Sequence, residues 1–170
     1  MNKSYKLRAF SYKFDKGNGP LSKKLLKGKI TSGNCRLAVQ DYFFSIHNLY
    51  LKPKDILLPF AYHKVGNFVE LFDKPGDIIY AENIRNKKGE VMHREKDVFK
   101  NNDEWILHFH SAIYLGKMNE EILNLLPFTS VIKPNTPVVW HISFICGKTA
   151  IWPIQKFLYY YKPIAAKRIL

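Results

Sequence analysis

Apolar residues recur at helical spacing over only one long stretch of this chain. Between positions 35 and 47, Val39, Phe43 and Ile46 follow one another at steps of four and three, and Leu37, Ala38 and Tyr42 widen the stripe. That pattern predicts a helix with one buried side. Thr31-Ser32-Gly33-Asn34 precedes it as a breaker, with Asn34 placed to cap it. A shorter basic helix is predicted over 21–30, with Leu21, Leu25 and Leu26 on one side.

Elsewhere the period falls to two. Over 105–115, Trp105, Leu107, Phe109, Ile113 and Leu115 face one way, while Ile106, His108, His110, Ala112 and Tyr114 face the other. This predicts one continuous strand, ended by Gly116. A second strand is predicted over 138–145 with His141 on the face opposite Trp140, and a third over 78–82 after the Pro75-Gly76-Asp77 turn. Residues 5–14 read as a strand or extended arm closed by Gly17-Asn18-Gly19-Pro20. Residues 149–152 read as a short extended piece, Pro153 as the start of a helix through Tyr160, and 164–169 as a closing strand. Positions 51–60 predict an irregular segment, 83–102 a polar surface loop, and 117–137 a connecting insertion, helical around Glu120 to Leu126. No internal repeat is evident.

Composition narrows the class. With 170 residues, 46% hydrophobic and 15% aromatic, the chain has enough apolar material for one folded domain. No apolar run reaches the length of a membrane span, and the first residues lack the apolar core of a signal peptide. Two well-separated cysteines, Cys35 and Cys146, make neither a disulfide framework nor a zinc knuckle, so a reducing, cytoplasmic setting is the default expectation. The charge of +13 is lopsided, since residues 1–30 carry nine Lys/Arg against one acid. Lys23, Lys24, Lys27 and Lys29 are the candidates for holding an anionic polymer, unless they form only a solvated face. No nucleic-acid-binding motif accompanies them, so nucleic acid is not the partner expected.

Chemistry concentrates at Cys35. A thiol in the first turn of a helix meets unpaired N–H groups and the positive end of the helix dipole, with Arg36 beside it, and these favour the reactive thiolate. His110 and His141 are the candidate bases. Neighbouring antiparallel strands lie roughly 4.8 Å apart, so side chains on a shared face can hydrogen-bond as base and orienting group. The Cys35 N–H is a candidate oxyanion donor, and Asn34, Arg36 and His108 are candidates for lining the cleft. Cys35, His108, His110 and His141 also form a set that zinc would accept, but spacing across two strands is not diagnostic and no metal or organic cofactor is assigned.

Four segments together resemble the NlpC-type branch of the papain-like cysteine peptidase superfamily. They are Asn34-Cys35-Arg36-Leu37-Ala38-Val39-Gln40, Lys74-Pro75-Gly76-Asp77-Ile78-Ile79-Tyr80, His110-Ser111-Ala112-Ile113-Tyr114-Leu115-Gly116 and Trp140-His141-Ile142-Ser143. They occur in the family's order and span the chain from about residue 21 onward. The resemblance implies Cys35 as nucleophile, His110 as base and His141 as the orienting third residue. The chain departs from the family in having Arg36 and Leu37 after the cysteine, no recognisable aromatic and glycine segment before it, and a long separation between the histidines.

The expectation is therefore an α+β fold of papain-like NlpC type, with a basic arm over 1–20 and a hydrolase domain over 21–170. A helix bearing Cys35 packs on an antiparallel sheet of five to six strands. The expected activity is that of a cysteine peptidase or amidase acting through a thioester on a peptide or peptidoglycan-like amide. Two alternatives stand beside it: an acyltransferase or thioesterase using the same residues, and a catalytically idle basic module that binds an anionic polymer.

Overall fold

The computed structural model describes residues 34–56, 65–92, 98–101, 104–107, 110–125, 131–143 and 148–170. The arm over 1–20 and the helix predicted over 21–30 lie outside them, together with Lys23, Lys24, Lys27, Lys29, His108 and Cys146. Among the described residues the fold is α+β. Six antiparallel strands form one open sheet, and two further strands form a separate hairpin.

The amphipathic stretch folds as α1 (Asn34–His47). It ends where Asn48 turns to a positive φ of 53°, and the N–H groups of Asn48 and Leu49 close back on the carbonyls of Phe44 and Phe43. Gln40 ties the helix to the following chain by donating to the Leu51 carbonyl at 2.8 Å. The segment predicted to be irregular contains one helical turn, α2 (Pro53–Ile56).

The sheet runs in the order β1-β8-β2-β5-β6-β7. Its strands are β1 (Asn67–Val69), β2 (Ile78–Asn83), β5 (His110–Lys117), β6 (Pro137–Ser143), β7 (Lys148–Pro153) and β8 (Tyr161–Arg168). Both faces of its centre are covered. Ile78, Tyr80, Ile113, Leu115, Val138, Trp140 and Ile142 pack under Ala38, Val39, Tyr42 and Phe43 of α1. The alternate residues Ile79, Ala81, Ala112, Val139 and Trp152 pack with Phe157 of α4 (Ile154–Tyr160) and Tyr161.

Two further expectations need correction, whereas the helix expected around Glu120 is present. Residues 83–102 are not simply a surface loop. Arg85 bridges antiparallel to Val91 around a turn held by the Asn86 side chain, which accepts from the N–H groups of Lys88 and Glu90. Further on, β3 (Val98–Asn101) pairs with β4 (Glu104–Leu107). The strand predicted over 105–115 is two strands in different sheets, because β4 turns back on β3 and β5 opens at His110. The insertion over 117–137 is anchored at its base. Met118 exchanges backbone hydrogen bonds with Thr136 and Asn135, α3 (Glu120–Leu125) is capped by Asn119, and Met118 and Ile122 are buried in the α1-side core.

The Pro75-Gly76-Asp77 turn organises the register. The Gly76 N–H donates to the Tyr114 carbonyl at 2.8 Å, and the Tyr114 N–H returns to the Asp77 carbonyl at 2.9 Å, so the turn locks β2 onto β5. Gly76 has a φ of 95° and Gly116 one of 84°, and a Cβ on Gly116 would come within 3.0 Å of Pro75, so that position needs glycine. The Asp77 carboxylate accepts from the N–H groups of Asp73 and Lys74 and from Nε and Nη2 of Arg168, the latter two at 2.8 and 2.7 Å. Burial alone would push this carboxyl up, but the Arg168 hydrogen bond and charge, with the two backbone donors, hold it below the usual carboxylate range.

Asp77 is 1% exposed and Asp73, the second partner of Arg168, is 67% exposed. Urea unfolding should therefore separate them. Asp77→Ala is expected to cost about 3–5 kcal/mol because it strands Arg168 and two backbone donors, whereas Asp73→Ala should stay within about 1 kcal/mol.

Candidate functional site

His110 is the first residue of β5 and His141 the fifth of β6. Ile113 lies opposite Trp140, so the antiparallel register continued by one step sets Ala112 opposite His141. His110, two residues before Ala112, is then the diagonal neighbour of His141 on the same face, within reach of a long side chain. The rings meet there, with His110 Nε2 3.0 Å from His141 Nδ1 across a separation of 31 residues. His110 keeps partial exposure and His141 is wholly buried.

Aromatic rings enclose the pair on the α4 face. Tyr161 stacks on His110 with centroids 4.3 Å apart and planes 18° apart, and Phe157 stacks in turn on Tyr161 at 4.8 Å. His141 stands nearly perpendicular to Trp152, Phe157 and Tyr161. Tyr161 reaches His110 from β8, two strands away across β2. The intervening β2 residue is Ala81, opposite His110 in the register, and its small side chain leaves room for that contact. Local periodicity does not reveal these three ring partners, because their approach depends on strand order. The nearest signals are Trp152-Pro153 and the run Tyr159-Tyr160-Tyr161, which read by themselves as packing.

Burial disfavours charge on both rings. It pulls His110 well below the ordinary imidazole value. For His141 burial acts first, and the nearby His110 and Lys156 push the same way. The pair is therefore neutral near pH 7, with one N–H on each ring.

Cys35 lies in the first turn of α1 as a free, half-buried thiol, and Arg36 beside it is buried. Burial lowers the Arg36 guanidinium from its usual value, and the charge of Cys35 acts in the opposite direction. The structure thus brings Cys35 next to Arg36, and His110 next to His141, but sets the two pairs on different elements. α1 packs on the Trp140 side of the sheet, whereas the histidines lie on the Trp152 side. Among the described residues no hydrogen bond joins Cys35 to either histidine, and no three His, Cys, Asp or Glu side chains converge as a metal site. Asn34 opens α1, its side chain lying outside the description, as do His108 and the four candidate lysines.

No helix among the described residues is long and apolar enough to cross a membrane. No protein-family model, curated protein or solved structure matches the chain.

The neutral histidine pair makes stability depend on pH in a defined direction. An unfolded histidine binds its proton below about 6.5, and the folded ones bind theirs only at lower pH. Between those values the unfolded state holds more protons, so stability should be level above pH 6.5 and fall as the solution is acidified. Each histidine adds at most about 1.4 kcal/mol per pH unit. Thermal melts between pH 7.5 and 4.5, above the range where Asp77 takes up a proton, should show this slope in the wild type and a shallower one in His110→Gln/His141→Gln, where, of the described histidines, only His47, also lowered by burial, still contributes.

Proposed function

We infer that the protein is a cysteine hydrolase of NlpC type, acting on a peptide or peptidoglycan-like amide through Cys35, His110 and His141. The observation that carries this reading is the 3.0 Å contact between His110 Nε2 and His141 Nδ1. It engages the ring nitrogen of His110 that an orienting group should hold. The other nitrogen, Nδ1, has no hydrogen-bond partner among the described residues, on a ring that keeps partial exposure.

The chemistry follows from these roles. His110 Nδ1 takes the thiol proton as Cys35 Sγ attacks the amide carbon, and a tetrahedral oxyanion forms. N–H groups in the first turn of α1, where Cys35 lies, are the candidate donors for that charge. His110 then protonates the leaving amine, leaving a thioester on Cys35, and water activated by the same nitrogen hydrolyses it. His141 holds the His110 ring throughout. Cys35 lies in the first turn of α1 and His110 opens β5, so Sγ and Nδ1 must meet around the starting ends of α1 and β5 rather than through the sheet.

The separation of the two pairs by the sheet favours one second reading. In it the histidine pair is structural, the thiol is idle, and the basic N-terminal segment binds an anionic polymer. The two readings differ at Cys35.

The test is turnover of γ-glutamyl and muropeptide-like amide reporters, with iodoacetamide alkylation of Cys35 followed in a Cys146→Ser background. Cys35→Ala should abolish turnover and leave the fold intact. His110→Ala should lower it about 100- to 10,000-fold and slow alkylation, and His141→Ala should cost less. Alkylation of Cys35 that ignores His110, with no turnover, would remove the hydrolase reading. Salt-sensitive polyanion binding that persists in Cys35→Ala would then support the second.

A further inference from the structure

His110 Nε2 and His141 Nδ1 can share one proton in two ways. If His110 donates, His141 carries its own hydrogen on Nε2, and His110 Nδ1 is a lone pair. If His141 donates from Nδ1, its Nε2 is a bare lone pair and the hydrogen of His110 sits on Nδ1, where it blocks proton uptake. The choice at His141 thus decides whether the partly exposed His110 can act as a base.

The surroundings of His141 Nε2 distinguish the two. This atom is fully buried and has no hydrogen-bond partner among the described residues. Three aromatic rings enclose the imidazole, all steeply inclined to it. Trp152 lies at 4.5 Å and 73°, Phe157 at 5.4 Å and 89°, and Tyr161 at 5.7 Å and 87°. Aromatic faces are electron-rich and aromatic edges electron-poor. An N–H in such a box can be drawn to a ring face, whereas a lone pair there has no donor among the described residues.

We propose that Trp152, Phe157 and Tyr161 are positioning residues that set the tautomer of His141, placing its hydrogen on Nε2 so that His141 accepts from His110 and leaves His110 Nδ1 free to take a proton. Tyr161 acts at both ends, since it also stacks on His110. The Lys156 ammonium lies 4.4 Å from the Trp152 ring centroid, so a positive charge already occupies this cluster and a doubly protonated His141 would be opposed by it. The tautomer assignment stands on the geometry of the box. Its catalytic consequence rests on the hydrolase reading.

The deciding measurement is long-range proton–nitrogen NMR on the full chain with 15N-labelled histidine, near pH 7. The expected spectrum has a protonated Nε2 and an unprotonated Nδ1 on His141, and a protonated Nε2 on His110. The reverse pattern, or an even mixture, overturns the proposal in the wild type without recourse to any variant. Trp152→Leu and Phe157→Leu should each bring up the second tautomer and slow Cys35 alkylation. A folded variant of either kind with an unchanged tautomer would also overturn it. The spectrum does not involve Cys35, so absence of turnover with the expected tautomer would count against the hydrolase reading alone.

Discussion

One carboxylate holds three strands in step. Asp77 ends the turn whose backbone exchanges hydrogen bonds with Tyr114 of β5, begins β2 with the next residue, and receives the two-pronged contact of Arg168 from β8. Bidentate guanidinium–carboxylate geometry is stringent, and a strand that slips by one residue turns every side chain to the opposite face. Both faces are buried here, so a slip would not merely expose apolar groups. It would exchange two different interiors, moving Ile79 of β2 into the position of Tyr80 beneath α1.

The two interiors differ in kind. The α1 side is mostly aliphatic, with Tyr42, Phe43, Tyr80 and Trp140 among the leucines, isoleucines and valines. The other side is small and aromatic, and it holds the histidine pair. Two imidazoles taken out of water lose hydration that their single mutual hydrogen bond replaces only in part. Packing them against rings rather than aliphatic groups limits that cost, because ring faces and edges carry partial charges that an imidazole can match. The arrangement gives up some stability in return for a fixed orientation of both histidines.

Much of this was legible locally. Helical periodicity located α1, and strict alternation put His110 and His141 on the faces they occupy. What local pattern does not contain is partnership. The alternation from Trp105 to Leu115 is the same whether its halves share a sheet or, as here, belong to two. The polar residues after Asn83 reveal their bridge and hairpin only once the opposing residues are known. The closing strand begins three residues earlier than its apolar pattern suggests, because Tyr161 leaves α4 directly into β8 with no intervening loop. For the same reason the tyrosine run reads as core and edge packing until strand order brings Tyr161 over His110. Placing α1 opposite the histidines is likewise a fact of handedness and connection, which no residue in α1 encodes by itself.

The place of β8 in the sheet sets an order of events. Among the described residues β1 has no strand partner except β8, and β2 has β8 along one side. Arg168 closes its clamp on Asp77 across 91 residues of chain. During synthesis, β2, β5, β6 and β7 can assemble as the chain emerges, but β2 must wait with one edge unpaired until nearly all of the chain described here has been made. An unpaired edge is an invitation to neighbouring chains. The nascent protein is thus most exposed to wrong association in the interval between completing β7 and delivering β8, and a long contact of this kind also slows the final closure.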